Sequence, residues 1–525
     1  MEQANQKLLN RVETLSDQNQ KLSEQFKTIR RPAPAGSGPA NDPAEDAAAD
    51  SVGGKGTGSS PDARAGIGAE GNSPRAFDSV GGRGAQEVKK TRAKVSFAEG
   101  LEFASDDGEF KLQFHDLTQA ELRMFPQQNQ GLLHTSFFIP RQRWYFTGRV
   151  TKNIEYYTAI NRGYGSLDLL DAFLIFRYDE RLRFRVGRMK TPYLYEYFQI
   201  AEGDLVAPER SLYAGNLAPN RQMGAMVLGD VLQKRATYAL GAFNGGRRSF
   251  EDTNGAKDVF FFLDTRPWLN AASGPGGRDA EGTGGRTRPN QAAGGADSEK
   301  DEGGPLKYLN LGGSFNAGYE NGPTQPNAFR TANDQSASNA AVALSPTFLT
   351  FNSNVVERGE RMQWAGHVAW FYKSLFFLAE YGGGFGGYGI NNGHSSTRLP
   401  FEGYTVQASY FLTGERITRR VNVVKPLRDF RFRDGKFSGS GAVEVYARYS
   451  DLNIGRNVFS SGLADPNNWS NSANATDIGL NWYLNFYTKI YLDWQHANFG
   501  QPVTRGNSQF MKASDLFWLR FQIFF

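Results

Sequence analysis

From near residue 109 to the carboxyl end, apolar and polar positions alternate with a period of two. The final segment shows the pattern: Phe517, Leu519, Phe521, Ile523 and Phe525 form a wholly apolar set, while Trp518, Arg520, Gln522 and Phe524 form the other. A period of two places such sets on opposite faces of a strand. The apolar face lies either on a soluble core or against lipid, and in the second case Arg520 faces a wet lumen. The same alternation recurs upstream. Arg141, Arg143, Tyr145, Thr147, Arg149 and Thr151 oppose Trp144, Phe146 and Val150. Arg181, Arg183 and Arg185 oppose Leu182, Phe184 and Val186. Glu444, Tyr446 and Arg448 oppose Val443, Val445, Ala447 and Tyr449, and Lys489, Tyr491, Asp493 and Gln495 oppose Ile490, Leu492 and Trp494. An arginine or lysine on a lipid face at mid-membrane costs ~2–4 kcal/mol, so the charged faces read as luminal.

Sixteen such strands are predicted, near 109–122, 141–152, 154–162, 167–177, 181–189, 221–230, 235–244, 257–268, 306–319, 361–372, 374–383, 402–414, 440–451, 473–484, 486–497 and 514–525. An even count suits a bacterial single-chain barrel. With both barrel ends in the periplasm, even connections become periplasmic turns and odd ones external loops. Lys152-Asn153, Tyr178-Asp179-Glu180, Tyr372-Lys373-Ser374 and Asn485 are short, whereas 190–220, 320–360, 384–401, 452–472 and 498–513 are long. Short turns at one end and long loops at the other are the outer-membrane pattern. The stretch near 270–305 and the basic segment 415–439 are the two exceptions. A soluble barrel of this width would have to fill its interior with side chains, which argues against that reading. The expected fold is an all-β transmembrane barrel of 16 antiparallel strands over residues 96–525, with 270–305 as a loop insertion.

Ahead of the barrel the pattern changes twice. In residues 1–29, Leu8, Leu15, Leu22 and Ile29 recur every seven residues, with Asn5, Val12, Asn19 and Phe26 at the other seam position. This is a short α-helical coiled coil whose seam asparagines would fix register and oligomer state; a lone amphipathic helix is the alternative. Residues 30–95 are rich in Ala, Gly, Pro, Ser and Asp and read as a disordered linker, because they cannot bury enough apolar surface to fold. The start MEQANQKLLN has no apolar core of a signal peptide, so a secreted reading requires that a leader was removed or lies upstream.

Composition narrows the function. The chain has 525 residues with 13% aromatics, 60 glycines and a mean hydropathy of −0.53. No run approaches the ~18 apolar residues of a membrane helix. There is no cysteine, which excludes disulfides, thiolate metal sites and cysteine catalysis. The net charge of +5 is too modest to imply nucleic acid, and no basic run with interleaved aromatics occurs. Five histidines, His115, His134, His367, His394 and His496, lie in no serine, carboxylate or metal-spaced motif. The glycine-rich GGGFGGYG at 382–389 lacks the lysine and following helix of a phosphate loop, and reads as a strand end and turn. No catalytic residue, metal or cofactor is expected.

The inward face is rich in arginine, and guanidinium forks fit tetrahedral oxyanions. Candidate wall residues are Arg141, Arg143, Arg149, Arg183, Arg185 and Arg448, with Arg181 at the periplasmic rim. The connection after the fifth strand, GRMKTPYLYEYFQIAEGDLVAPERSLYAGNLAPNRQMG, is too long and apolar for an exposed loop and can fold into the barrel. It carries Lys190, Arg210 and Arg221, with Glu196, Glu202, Asp204 and Glu209 as potential partners.

Together with FASDDGEFKLQFH, LDLLDAFLIFRY, VGRMKTPY, the PERSL…APNRQMG block, GYTVQASYFLTGE, VKPLRDF, GAVEVYARYSDL, LNWYLN and FWLRFQIFF, this stretch resembles the phosphate-selective porin O and P family over most of 100–525. The resemblance implies a homotrimer of sixteen-stranded barrels, a constricting third external loop, and an arginine ladder with a lysine-bearing constriction that favours anions such as phosphate. Lys190 in the KTP motif, Arg210 and Arg221 match family blocks by position, whereas Arg141, Arg143 and Arg185 fit the ladder by facing. The terminal Phe525 looks like the signal read by the barrel assembly machinery, as the resemblance also implies. The coiled coil, linker and 270–305 insertion lie outside the closest family pattern. Two other readings are a nonselective general porin, whose arginines are all paired, and a structural outer-membrane protein tethered to a periplasmic or cell-wall partner through the coiled coil. Both keep the barrel in the bacterial outer membrane with the N-terminal extension in the periplasm.

Overall fold

The computed structural model describes residues 92–525 apart from 98–99, 127–132, 165, 247–251, 253, 270–303, 323, 333–344, 391–395, 421–423 and 507–508. The predicted coiled coil, nearly all of the linker and most of the 270–305 insertion lie outside the described residues.

The alternating segments form the predicted ring of sixteen strands among the described residues. In chain order they are β1 (Lys111–Met124), β2 (Ser136–Thr151), β3 (Ile154–Gly163), β4 (Ser166–Asp179), β5 (Leu182–Lys190), β6 (Arg221–Val231), β7 (Ala236–Phe243) and β8 (Asp258–Thr265). They continue as β9 (Tyr308–Glu320), β10 (Gly359–Tyr372), β11 (Leu375–Ile390), β12 (Thr397–Phe411), β13 (Ala442–Ile454), β14 (Ser472–Tyr483), β15 (Thr488–Gly506) and β16 (Gln509–Phe524). Each pairs antiparallel with its neighbours, and β16 closes on β1 with Arg520 opposite Glu121. Closure leaves the sixteen-stranded ring without a free edge among the described residues, which a membrane-spanning sheet requires. A small hairpin, Ala93–Phe97 with Leu101–Ser105, pairs with the first residues of β1. Phe525 adds backbone hydrogen bonds to Asp116 and packs its ring near Phe97 and Phe114.

The faces sort as alternation predicts. In β16, Phe517, Phe521 and Ile523 are exposed on the outside, while Trp518, Arg520, Gln522 and Phe524 are buried inside. Glu444, Tyr446, Arg448, Lys489, Tyr491, Asp493 and Gln495 are likewise buried inside.

Three connections differ from expectation. The stretches 384–401 and 498–513 are mostly strand, leaving connections of only 391–396 and 507–508. Beyond the lipid band both faces of a strand meet water, so alternation fades while pairing continues: Arg398 and Glu402 stand outward on β12. For the same reason GGGFGGYG forms the strand end as expected but not a turn, since it continues β11 to within one residue of its last, Ile390. The basic segment after β12 is not merely a long turn. Its Ile417, Arg420 and Val424 are buried, and Arg420 donates to Glu444 on β13.

Candidate site in the barrel lumen

The connection 191–220 enters the barrel from roots that are themselves cationic, because Lys190 and Arg221 are opposite partners at the ends of β5 and β6. It contains two short helices, α1 (Tyr195–Phe198) and α2 (Leu212–Leu217), and a 3-10 turn at Glu202–Asp204. Ser211 caps α2, its side chain accepting from the Ala214 amide at 3.3 Å. The Glu196 carboxylate in turn accepts from the Ser211 amide at 3.1 Å, so α1 and α2 are tied together. Tyr193, Leu194, Tyr197, Phe198, Leu205 and Tyr213 are buried at 3% exposure or less, which is why so apolar a loop is stable inside a polar barrel.

The wall is shaped to receive it. Gly382 and Gly403 are opposite partners on β11 and β12, and a Cβ on either would lie 2.5 or 2.6 Å from the Tyr213 side chain. Glu380 on β11 accepts from the Tyr195 and Glu196 amides at the start of α1, the second at 3.0 Å. Across the barrel, Tyr491 and Gln522 donate to the Gly203 carbonyl at 3.2 and 3.1 Å, and Lys489 donates to the Leu205 carbonyl at 2.9 Å. The loop therefore spans from its roots to the far wall.

Two loop carboxylates gather the cations. Glu202 stands among Arg143 (3.0 Å), Arg210 (3.5 Å), Lys190 (3.6 Å) and Arg221 (3.6 Å). Burial alone would raise its carboxyl, but these four charges hold it well below the usual carboxylate range. Glu209 stands among Arg141, Arg520 (2.6 Å) and Arg123 (3.9 Å), which against the same burial also hold its carboxyl low. Asp204 differs. Burial pushes it up to about 7 although Arg420 and Lys489 lie near, and its Oδ1 has no hydrogen-bond partner among the described residues. Arg420 donates instead to the Asp204 carbonyl, at 2.8 and 3.0 Å. The loop thus meets a segment that enters the barrel from the opposite end.

The sequence matches the family model for phosphate-selective porin O and P over residues 111–498. The chain belongs to the phosphate-selective porin O and P family. As a porin of this family it is a bacterial outer-membrane channel. Solved structures of similar architecture include OmpT of Vibrio cholerae, at 8% identity and a TM-score of 0.44 over 79% of this chain and 98% of that one. An anion-selective porin from Comamonas acidovorans shares 8% identity at a TM-score of 0.44, covering 79% and 100%. The channel DcaP of Acinetobacter baumannii shares 9% at 0.43, covering 82% and 100%. No curated protein matches the chain.

Within this porin the predicted residues fall into four groups. Lys190, Arg143, Arg210 and Arg221 converge on Glu202. Arg141 joins the Glu209 group, and Arg448 bonds Asp477 at 2.9 Å and the Glu209 carbonyl at 2.7 Å. Arg183 pairs with Asp230 at 3.3 Å near the turn end, and the Arg185 guanidinium lies 4.5 Å over the Phe173 ring. Arg149 is half-buried on β2 beside the turn at 152–153, opposite Lys111 and Glu155, away from the loop. Arg181 is exposed in a turn and pairs with Asp179. Sequence reading missed Arg123 and Arg420 as luminal cations. Alternation along Gln119, Glu121 and Arg123 could have found the first. No period marks the second, which lies in an irregular segment.

Proposed function

We propose that this outer-membrane porin passes small anions, oxyanions such as phosphate above all, through a lumen narrowed by the loop 190–220. The observation that carries the reading is the convergence of Lys190, Arg143, Arg210 and Arg221 on one luminal point, beside the two roots of the loop. Preorganised guanidinium and ammonium donors replace part of an anion's hydration and favour its entry. The remaining wall arginines, Arg141, Arg183, Arg185 and Arg448, supply a positive field along the path, and Arg149 supplies it at the turn end. Family membership supports a homotrimer with the loop-rich end external; on this reading the N-terminal extension lies in the periplasm.

A general porin is the second reading, favoured by pairing: Arg141, Arg143, Arg448 and Arg520 each meet a buried carboxylate. The test is single-channel recording in a planar bilayer. Under a chloride gradient the reversal potential should lie near the anion limit, and added phosphate should block the chloride current at sub-millimolar level, the order expected of several charge-assisted bonds. Ohmic, weakly selective conduction without block would give the general porin instead. A tether role for the coiled coil is compatible with either.

A further inference from the structure

We propose that Glu202 is a built-in substitute for the permeating solute: its carboxylate fills the oxyanion subsite between Lys190, Arg143, Arg210 and Arg221, and a divalent oxyanion enters by displacing it. The inference rests on the anion-channel reading above and adds what occupies the subsite when no solute is present.

The subsite survives without Glu202, because other groups hold its cations. Arg221 bonds Asp171 at 2.9 and 3.0 Å, and Arg143 bonds Asn161 at 3.0 Å. Arg210 is fixed by the carbonyls of Glu196 and Ile200, the second at 2.9 Å. Lys190 is rooted at the end of β5 opposite Arg221. The Glu202 oxygens divide the ring, Oε2 facing Arg143 and Lys190 while Oε1 faces Arg210 and Arg221. Two donors remain over: Arg221 Nη1 and Arg143 Nη2 are buried without a hydrogen-bond partner among the described residues. A tetrahedral oxyanion brings more oxygens than a carboxylate and can use them.

Charge points to the same place. Around Glu202, four cations face two carboxylates, Glu202 and Asp171, a surplus of two positive charges. Around Glu209, three arginines face Glu209 and Glu121, a surplus of one. The Glu202 ring alone of the two can exchange its loop carboxylate for a divalent anion and stay positive. Displacement also has a mechanical consequence. Glu202 begins the 3-10 turn whose Gly203 carbonyl is held by Tyr491 and Gln522, so freeing its side chain loosens one end of the loop's hold on the far wall.

The test uses the purified full chain and inorganic phosphate at neutral pH. Phosphate binding is read by phosphorus NMR line broadening and conductance in bilayers. Glu202→Gln keeps the shape and removes the charge. It should bind phosphate about tenfold tighter or more, because apparent affinity scales with the fraction of subsites that are open, and its block by phosphate should move to correspondingly lower concentration. In the unmodified chain, phosphate should speed hydrogen exchange at 200–206 relative to chloride of equal ionic strength, which tests the displacement even if the variant does not fold. Anion preference with unchanged or weaker phosphate binding in Glu202→Gln, or exchange that phosphate slows or leaves unchanged, overturns the inference and leaves the anion channel standing. Absence of both anion preference and phosphate binding overturns the two together.

Discussion

At the scale of single residues, the barrel wall and the loop are matched by what is missing as much as by what is present. The Tyr213 ring packs where β11 and β12 carry Gly382 and Gly403, and its hydroxyl lies 3.3 Å from that of Tyr193, which donates to the Trp364 carbonyl. Removing a buried aromatic side chain costs ~3–5 kcal/mol. Here that loss falls on the loop, since no strand pairing passes through Tyr213. Tyr213→Ala should therefore leave barrel closure intact, read as unchanged heat-modifiable migration on a gel, while single-channel conductance rises. An unchanged conductance would mean that the loop is held elsewhere. The charged partners were legible as residue types, for Glu196, Glu202, Asp204 and Glu209 are the acids spaced along an otherwise apolar loop. Their assignment was not legible, because which arginine meets which acid depends on how the loop crosses the lumen.

At the scale of elements, strands were legible and irregular segments were not. A period of two is a local property, so all sixteen strands could be read; their outer ends could not, because alternation stops where lipid stops. The loop announced itself by apolar content at a position where water was expected. The entry of Arg420 from the other end had no such mark: a basic segment reads equally as a solvated turn. The contact between these two elements carries a pH dependence. Asp204 has a folded pKa of about 7 against an ordinary 3.8, so the folded loop binds its proton more tightly than the unfolded chain does. The loop's stability is then greatest below the ordinary value and falls as pH rises through about 7, where the buried carboxylate ionises. Protection factors for 200–206, corrected for intrinsic exchange, should fall between about pH 5 and about pH 8. The Asp204→Asn variant should show a flat profile, and an equal fall in that variant would assign the effect to another group.

At the scale of the whole molecule, closure is complete without the N-terminal zone. The ring begins at Lys111, ends at Phe524 and is sealed by β16 on β1, with Arg520 joining Glu121 across the seam and Glu209 in the loop. Breaking a buried ion pair of this kind costs ~3–5 kcal/mol, so seam and loop reinforce each other within the barrel itself. The family match over 111–498 also excludes the first hundred residues. A channel whose walls, luminal loop and seam all lie within Glu87–Phe525 has no structural need of residues 1–86 for conduction. A chain starting at Glu87 should accordingly fold in detergent, migrate as a trimer and conduct with the reversal potential of the full chain. If it trimerises poorly but the monomer still conducts, the heptads of residues 1–29 supply the assembly contact, as their seam asparagines suggest. If trimers and conduction are both intact while the full chain alone is retained by isolated cell wall, the coiled coil is a tether and the porin is its cargo. Loss of conductance in a correctly closed truncated barrel is the outcome that this architecture forbids.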